Sequence, residues 1–369
     1  MKSMKSIRKK LFVYLKILLL VVTALLCLVK TEIINRAVSD ALDRCLNIII
    51  PSLYAMMIVS SLLIKSGLTG KISKFTGSIG KVLFGMENTV FPVFAFSMFA
   101  GYPVGTKMLC SAYENGLIEK RRAEIFCGLC FGAGPAFIFG CISGQLYGST
   151  STGNIILVSA VGANIVLALV VSIFMRKNCN SKEIRSEIRF DMITDCVING
   201  GRSMADICFM VTAFAVVTEI MDYSGIISAV GAMISKIINL DTTESEQLIR
   251  AVMDVTAVNG FKYGNYALLP YLSSLVSFGG ICVIFQISAV TSGKLSLKPL
   301  ILMRILSAVI SFFICRIITP FMLENETVFT SSFNVRTHQA HSPVPSVMLI
   351  IMTFVLFCEC EKIKTLRQE

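Results

Sequence analysis

Long apolar runs, separated by short segments in which Lys and Arg gather, constrain this chain more than any other feature. They occupy residues 46–64, 89–109, 123–147, 154–175, 203–221, 267–290 and 300–322, with a basic-led run at 11–29 and a marginal one at 347–357. A helix needs about 20 apolar residues to cross the hydrocarbon core of a bilayer. Composition agrees, since 54% of residues are apolar and only 15% charged, against about 25% charged in soluble domains. A water-soluble fold of this size would lack the polar atoms to cover its surface. The expected fold class is therefore all-α and polytopic, with the lipid bilayer as partner.

The net charge of +11 sits in clusters between apolar runs and follows no single helix face. That excludes nucleic acid as a partner and fits the rule that basic loops stay cytoplasmic. Of the 13 cysteines, most lie inside apolar runs, as Cys27, Cys208, Cys282 and Cys315 do, and act there as small hydrophobes. The close pairs Cys127/Cys130 and Cys358/Cys360 have no second pair at zinc spacing, and the histidines are His338 and His341 alone. No metal, cofactor or catalytic constellation is implied, and the chain is read as a carrier, not an enzyme. The run at 11–29 follows Lys2, Lys5, Arg8, Lys9 and Lys10 and has no small-x-small cleavage site after it, so it reads as a retained signal anchor.

The expected organisation is a signal-anchor helix (1–32), a first repeat (33–175), a cytoplasmic linker (176–202), a second repeat (203–322), and an external loop, marginal helix and tail (323–369). The case for repeats is local. Ser66-Gly67 and Ser224-Gly225 each close an apolar run and open an amphipathic stretch, 70–85 and 225–240, of the kind that lies along the membrane interface. Gly101 and Gly260 follow at nearly equal distances, each in a Gly-rich interruption. If the interruptions at 89–109 and 258–262 dip into the membrane and return, most Lys and Arg fall on the cytoplasmic side and the two halves run in opposite senses. This gives about eight spans plus two re-entrant hairpins, arranged as inverted repeats.

Chemistry is expected where backbone is irregular at membrane depth, because such backbone survives only in protein or beside a wet cavity. Four breaks qualify. Gly101-Tyr102-Pro103-Val104-Gly105-Thr106-Lys107 cannot continue one straight helix; it either lines a substrate site, with Lys107 as its charge, or is a kink with a snorkelling lysine. Phe131-Gly132-Ala133-Gly134-Pro135 is a second break, or a point of close helix packing. Asp254-Val-Thr256-Ala-Val-Asn259-Gly260 joins a carboxylate, a hydroxyl and an amide, although Asp254 has Lys262 as an alternative partner. Gly279-Gly280 precedes Gln286, a lone amide that serves as interhelical glue or ligand contact. The expected substrate-binding set is Gly101, Tyr102, Pro103, Gly105, Lys107, Gly134, Pro135, Asn259, Gly260, Gly279, Gly280 and Gln286. Arg304 is expected to snorkel from the cytoplasmic end of its run.

The elements Ser97-Met-Phe-Ala-Gly-Tyr-Pro-Val-Gly-Thr-Lys107, Gly134-Pro-Ala-Phe-Ile-Phe-Gly140 and Ser277-Phe-Gly-Gly-Ile-Cys-Val-Ile-Phe-Gln286 carry a resemblance. In that order they resemble the YlbJ family of sporulation integral membrane proteins, the SpoVV-like group with a nucleoside-recognition or Gate-type domain. The resemblance covers residues 35–320 and departs from the family pattern at Phe131-Gly132-Ala133, where polar residues are expected before Gly-Pro. It implies an architecture like that of concentrative nucleoside transporters. It also implies a small planar anion as cargo, dipicolinic acid, moved across the outer forespore membrane during sporulation. A non-transporting scaffold for spore-envelope assembly and a nucleoside carrier are the alternatives. A homo-oligomer is left open.

Overall fold

A computed structural model of the protein describes residues 28–86, 90–175, 190–261 and 264–323, and every regular element among them is helical. Helix α1 runs over Thr31–Lys65. Its ladder widens into a π turn at Cys45–Ile49 for a local reason. Pro51 follows at the start of Ile50–Lys65 and has no N–H to give the carbonyl one turn back. Gly67, at φ 68°, turns the chain from α1 into the amphipathic α2, Leu68–Phe84. Gly225, at φ 75°, makes the equivalent turn from α8, Phe190–Tyr223, into α9, Ile226–Ile238.

Between these points lie α3 (Val90–Ala100), α4 (Val104–Glu114), α5 (Lys120–Cys127), the π-helical α6 (Ile138–Tyr147) and α7 (Thr150–Met175). After α9 the chain bends by 113° into α10, Thr242–Met253. Two 3-10 turns, Val255–Gly260 and Tyr266–Leu268, then lead to α11 (Leu269–Phe278), α12 (Gly280–Val290) and α13 (Lys298–Leu323).

Five stretches among the described residues are long and apolar enough to cross a membrane: α1, α7, α8, the broken unit α11–α12, and α13; the bent pair α9–α10 would make a sixth. How side chains are sorted on these helices identifies the solvent. On α13 the buried stripe is Leu300, Arg304, Ser307, Ser311 and Cys315, while Leu302, Ile305, Phe313 and Ile317 are exposed. On α7 Thr152, Ser159 and Asn164 are buried, while Val166, Val170 and Phe174 point outward. A helix in water sorts the opposite way. Polar inside and apolar outside is the arrangement of a helix whose surroundings are lipid, and the protein is an integral membrane protein.

Two expectations are corrected. The run at 123–147, counted among the spans, does not cross as one helix; it breaks over 128–134, at the interruption expected at Phe131–Pro135, where Gly128, Gly132 and Gly134 interrupt the ladder before Pro135 restarts it. The second correction concerns the linker at 176–202, since α8 begins at Phe190 and makes its last part helical. The rest of that linker (176–189), residues 1–27 of the signal anchor, Lys262, and the loop, marginal helix and tail from 324 onward lie outside the described residues.

Helices α7, α11 and α13 pack into one group, and α1 packs against both α4 and α8. Small residues let the first group close up. Ser273 and Ser311 share a hydrogen bond of 2.7 Å between α11 and α13, and a Cβ on Gly162 would lie 3.4 Å from Ile314.

Candidate functional site

Three of the four backbone breaks meet at one point. Gly101 ends α3 at φ 82°, followed by a cis Tyr102–Pro103 bond, and α4 starts at Val104. A Cβ on Gly101 would lie 2.5 Å from Leu53 and 3.5 Å from the amide of Gly134, so the first break rests directly on the second. Gly105 presses on the same segment, where a Cβ would overlap the Cys130 carbonyl. Gly279 stands between α11 and α12 at φ 85°, and a Cβ there would collide with the ring of Phe131. Only glycine meets both demands at that position.

At the meeting point two rings and a guanidinium lie against one another. Tyr102 and Phe131 lie 4.6 Å apart by ring centroid, and Tyr102 donates its hydroxyl to the Val276 carbonyl near the end of α11. Arg304 of α13 lies 4.6 Å above the Phe131 ring. It is fully buried, 0% exposed, which corrects the expectation that it snorkels. Its Nη1 donates to the Ser277 carbonyl at 3.2 Å, and its Nη2 donates to the Gly128 carbonyl and, at 2.9 Å, to Asn164 Oδ1. Asn164 is itself held, donating to the Phe131 carbonyl at 2.7 Å while its Oδ1 accepts from Ser307 at 3.2 Å.

Arg304 has no carboxylate within 4.0 Å among the described residues. What balances its charge is backbone. Gly128 caps α5 and Ser277 lies in the last turn of α11, so the guanidinium sits at the negative ends of two half-helices and satisfies carbonyls that their own helices leave open. The supply of donors is not exhausted: Arg304 Nε, Ser277 Oγ and Thr106 Oγ1 are buried with no hydrogen-bond partner among the described residues.

The expected site residues thus divide. Tyr102 and Gly279 meet Phe131, and Gly101 and Gly105 press on the neighbouring Gly134 and Cys130, while Pro103 caps α4 and Pro135 starts the helical turn leading into α6. Lys107 points elsewhere. Its ammonium donates to the Asn199 carbonyl at 3.1 Å and to Ser203 Oγ, both on α8. Gly280 joins the third break, since a Cβ there would lie 3.0 Å from the amide of Val255. Gln286 is buried and donates to Cys282 one turn earlier, at 3.2 Å. Asn259 and Gly260 are exposed and stand outside the Arg304 cluster.

Sequence reasoning missed Arg304 as a central group and missed Asn164 altogether. A signal was present for both. Arg304, Ser307 and Ser311 recur at helical spacing through an apolar run, and Asn164 is a lone amide within another. Comparison with protein-family models, with curated proteins and with solved structures finds nothing that matches the chain.

Proposed function

We propose that this protein is a membrane carrier for a small planar anion, with Arg304 as its charged contact. The observation that carries the reading is a fully buried guanidinium, held among the described residues by neutral acceptors, where three helix breaks meet. A carboxylate binds a guanidinium more strongly than carbonyls do, and can do so through two parallel hydrogen bonds. Exchange of the Gly128 and Ser277 carbonyls for an anion therefore has a driving force. The flanking rings of Tyr102 and Phe131 suit a flat, aromatic anion. Dipicolinate has that shape and charge, and the resemblance to the YlbJ family favours it, with the outer forespore membrane as its place.

The inverted-repeat reading has support in the order of elements. A long helix, a left-handed glycine, an amphipathic helix, a short helix and a break occur in that sequence in both halves. The helices that open the halves, α1 and α8, pack together, as do those that close them, α7 and α13. A two-fold relation between the halves brings such counterparts into contact.

The test is uptake by vesicles containing the purified protein, with dipicolinate and a nucleoside as solutes. Dipicolinate should enter, and Arg304→Gln should weaken its affinity by roughly ten- to a hundredfold, the equivalent of losing one charged hydrogen bond of about 1.5–3 kcal/mol. Lys107→Gln should weaken it far less, because that ammonium is already engaged by α8. Equal losses would return Lys107 to the site. Nucleoside uptake that survives Arg304→Gln would favour a nucleoside carrier, and no uptake of either solute would leave the scaffold role.

A further inference from the structure

The third break holds a second ionisable group that the anion site does not use. Asp254 follows α10 in extended backbone, φ −140° and ψ 114°, and is only 4% exposed. Its Oδ1 accepts from the Thr256 amide at 3.1 Å and its Oδ2 lies 2.7 Å from the Thr256 hydroxyl. No Lys, Arg or His nitrogen lies within 4.0 Å of it among the described residues. A buried carboxyl without a salt bridge is costly to keep ionised, and in membrane proteins such groups mark ion and proton pathways.

Its surroundings narrow the choice of ion. Among the described residues, the ionisable groups near enough to interact electrostatically with Asp254 are Arg44 and Cys45 from α1 and Cys282 from the first turn of α12. The acid and base nearest along the chain on α8 and α10, Asp222 and Arg250, are committed to one another as an ion pair. A hard metal cation wants several oxygen ligands; here one carboxyl stands with a hydroxyl, two thiols and a positive charge. A proton needs only the carboxyl.

We propose that Asp254 is a proton-carrying site of this protein, taking a proton from water on Oδ2 and returning it as the break opens and closes. Neutral Asp254 can donate to the Thr256 hydroxyl and exerts no pull on α1. Ionised Asp254 attracts Arg44, whose Nε is buried without a hydrogen-bond partner among the described residues. Arg44 immediately precedes the π turn at Cys45–Ile49, where the α1 ladder is already widened and can shift at least cost. Gly280, wedged against Val255, passes movement of this break to the start of α12 and so to Gly279 and the Arg304 cluster. Proton binding and anion access would then be coupled, a role that rests on the carrier reading, whereas protonation of Asp254 does not.

Infrared difference spectra of the full-length protein, taken between acidic and alkaline buffers, test the site without any transport assay. Acidification should raise the carbonyl-stretch band of a protonated carboxyl in a water-poor site. Asp254→Asn should abolish that band, and Asp222→Asn should leave it. Identical wild-type and Asp254→Asn spectra would overturn the proposal. Should Asp254→Asn fail to fold, Asp254→Glu decides, since the band must then move in frequency. In vesicles, an inward proton gradient should stimulate dipicolinate uptake by up to about tenfold per pH unit in wild type and not in Asp254→Asn. An equal response in both would overturn the coupling. If wild type takes up no dipicolinate, the carrier reading falls while the infrared result on Asp254 stands.

Discussion

Gly279 shows how much a single position can demand of a residue. Its φ of 85° disfavours any side chain, and the ring of Phe131 fills the space where a Cβ would go. Gly116 shares the first demand, with φ 67°, but has open space around it. Gly279→Ala should therefore lower stability by about 2–4 kcal/mol, from backbone strain and collision together, and Gly116→Ala by about 1–2 kcal/mol from strain alone. Thermal unfolding in detergent measures both, and equal losses would mean that Phe131 moves aside freely. The weakness of the helix in this segment was legible from sequence, because two adjacent glycines lower helix propensity, but Gly200-Gly201 lie within the unbroken α8, so the pair alone does not fix a break. The role of Arg304 was not legible. Whether an arginine near a helix end snorkels or turns inward depends on the helices beside it, and here Gly128, Asn164 and Ser277 arrive from three other parts of the chain.

At the scale of elements, the packing of α7, α11 and α13 rests on small and hydroxylated side chains and not on bulk. Ser273 and Ser311 bond to each other, and Ser311 also donates to the Ser273 carbonyl at 3.2 Å. Interhelical hydrogen bonds of this kind contribute about 0.6–2 kcal/mol in membranes. Ser273→Ala and Ser311→Ala should each cost an amount in that range, and the double variant should cost less than the sum, because both remove the same bond. Additive losses in a double-mutant cycle would show the two hydroxyls acting separately. The long helices themselves were readable from apolar length, and the turns at Gly67 and Gly225 from the Ser-Gly pairs that close two of them. The run at 123–147 shows the limit of that reading. Its mean character is apolar enough to span, yet three glycines and a proline divide it; apolar length did not register this, whereas the Gly and Pro pattern at 131–135 did.

For the whole molecule, the proposed topology makes an exposed prediction. Lys120 and Lys236 are both solvent-accessible, and the distribution of basic residues puts them on opposite sides of the membrane. In a cysteine-depleted background, Lys120→Cys should react with a membrane-impermeant maleimide only from the cytoplasmic side, and Lys236→Cys only from the other. Labelling of both from one side would end the inverted-repeat reading. The sequence by itself determined that this chain is all-α and lives in a bilayer, because helix-length apolar runs and scarce charge leave no other solvent. It also marked the breaks, since Gly and Pro act on the backbone locally. Only the tertiary structure decided which breaks meet: those at Gly101, Gly134 and Gly279 converge, while Lys107 turns to α8 and Asn259 to the surface. It alone decided that Arg304 is buried with no carboxylate within 4.0 Å among the described residues. The physical reason is that helix propensity and hydropathy are summed along the chain, whereas burial and charge pairing depend on residues far apart in sequence that packing brings within hydrogen-bond reach.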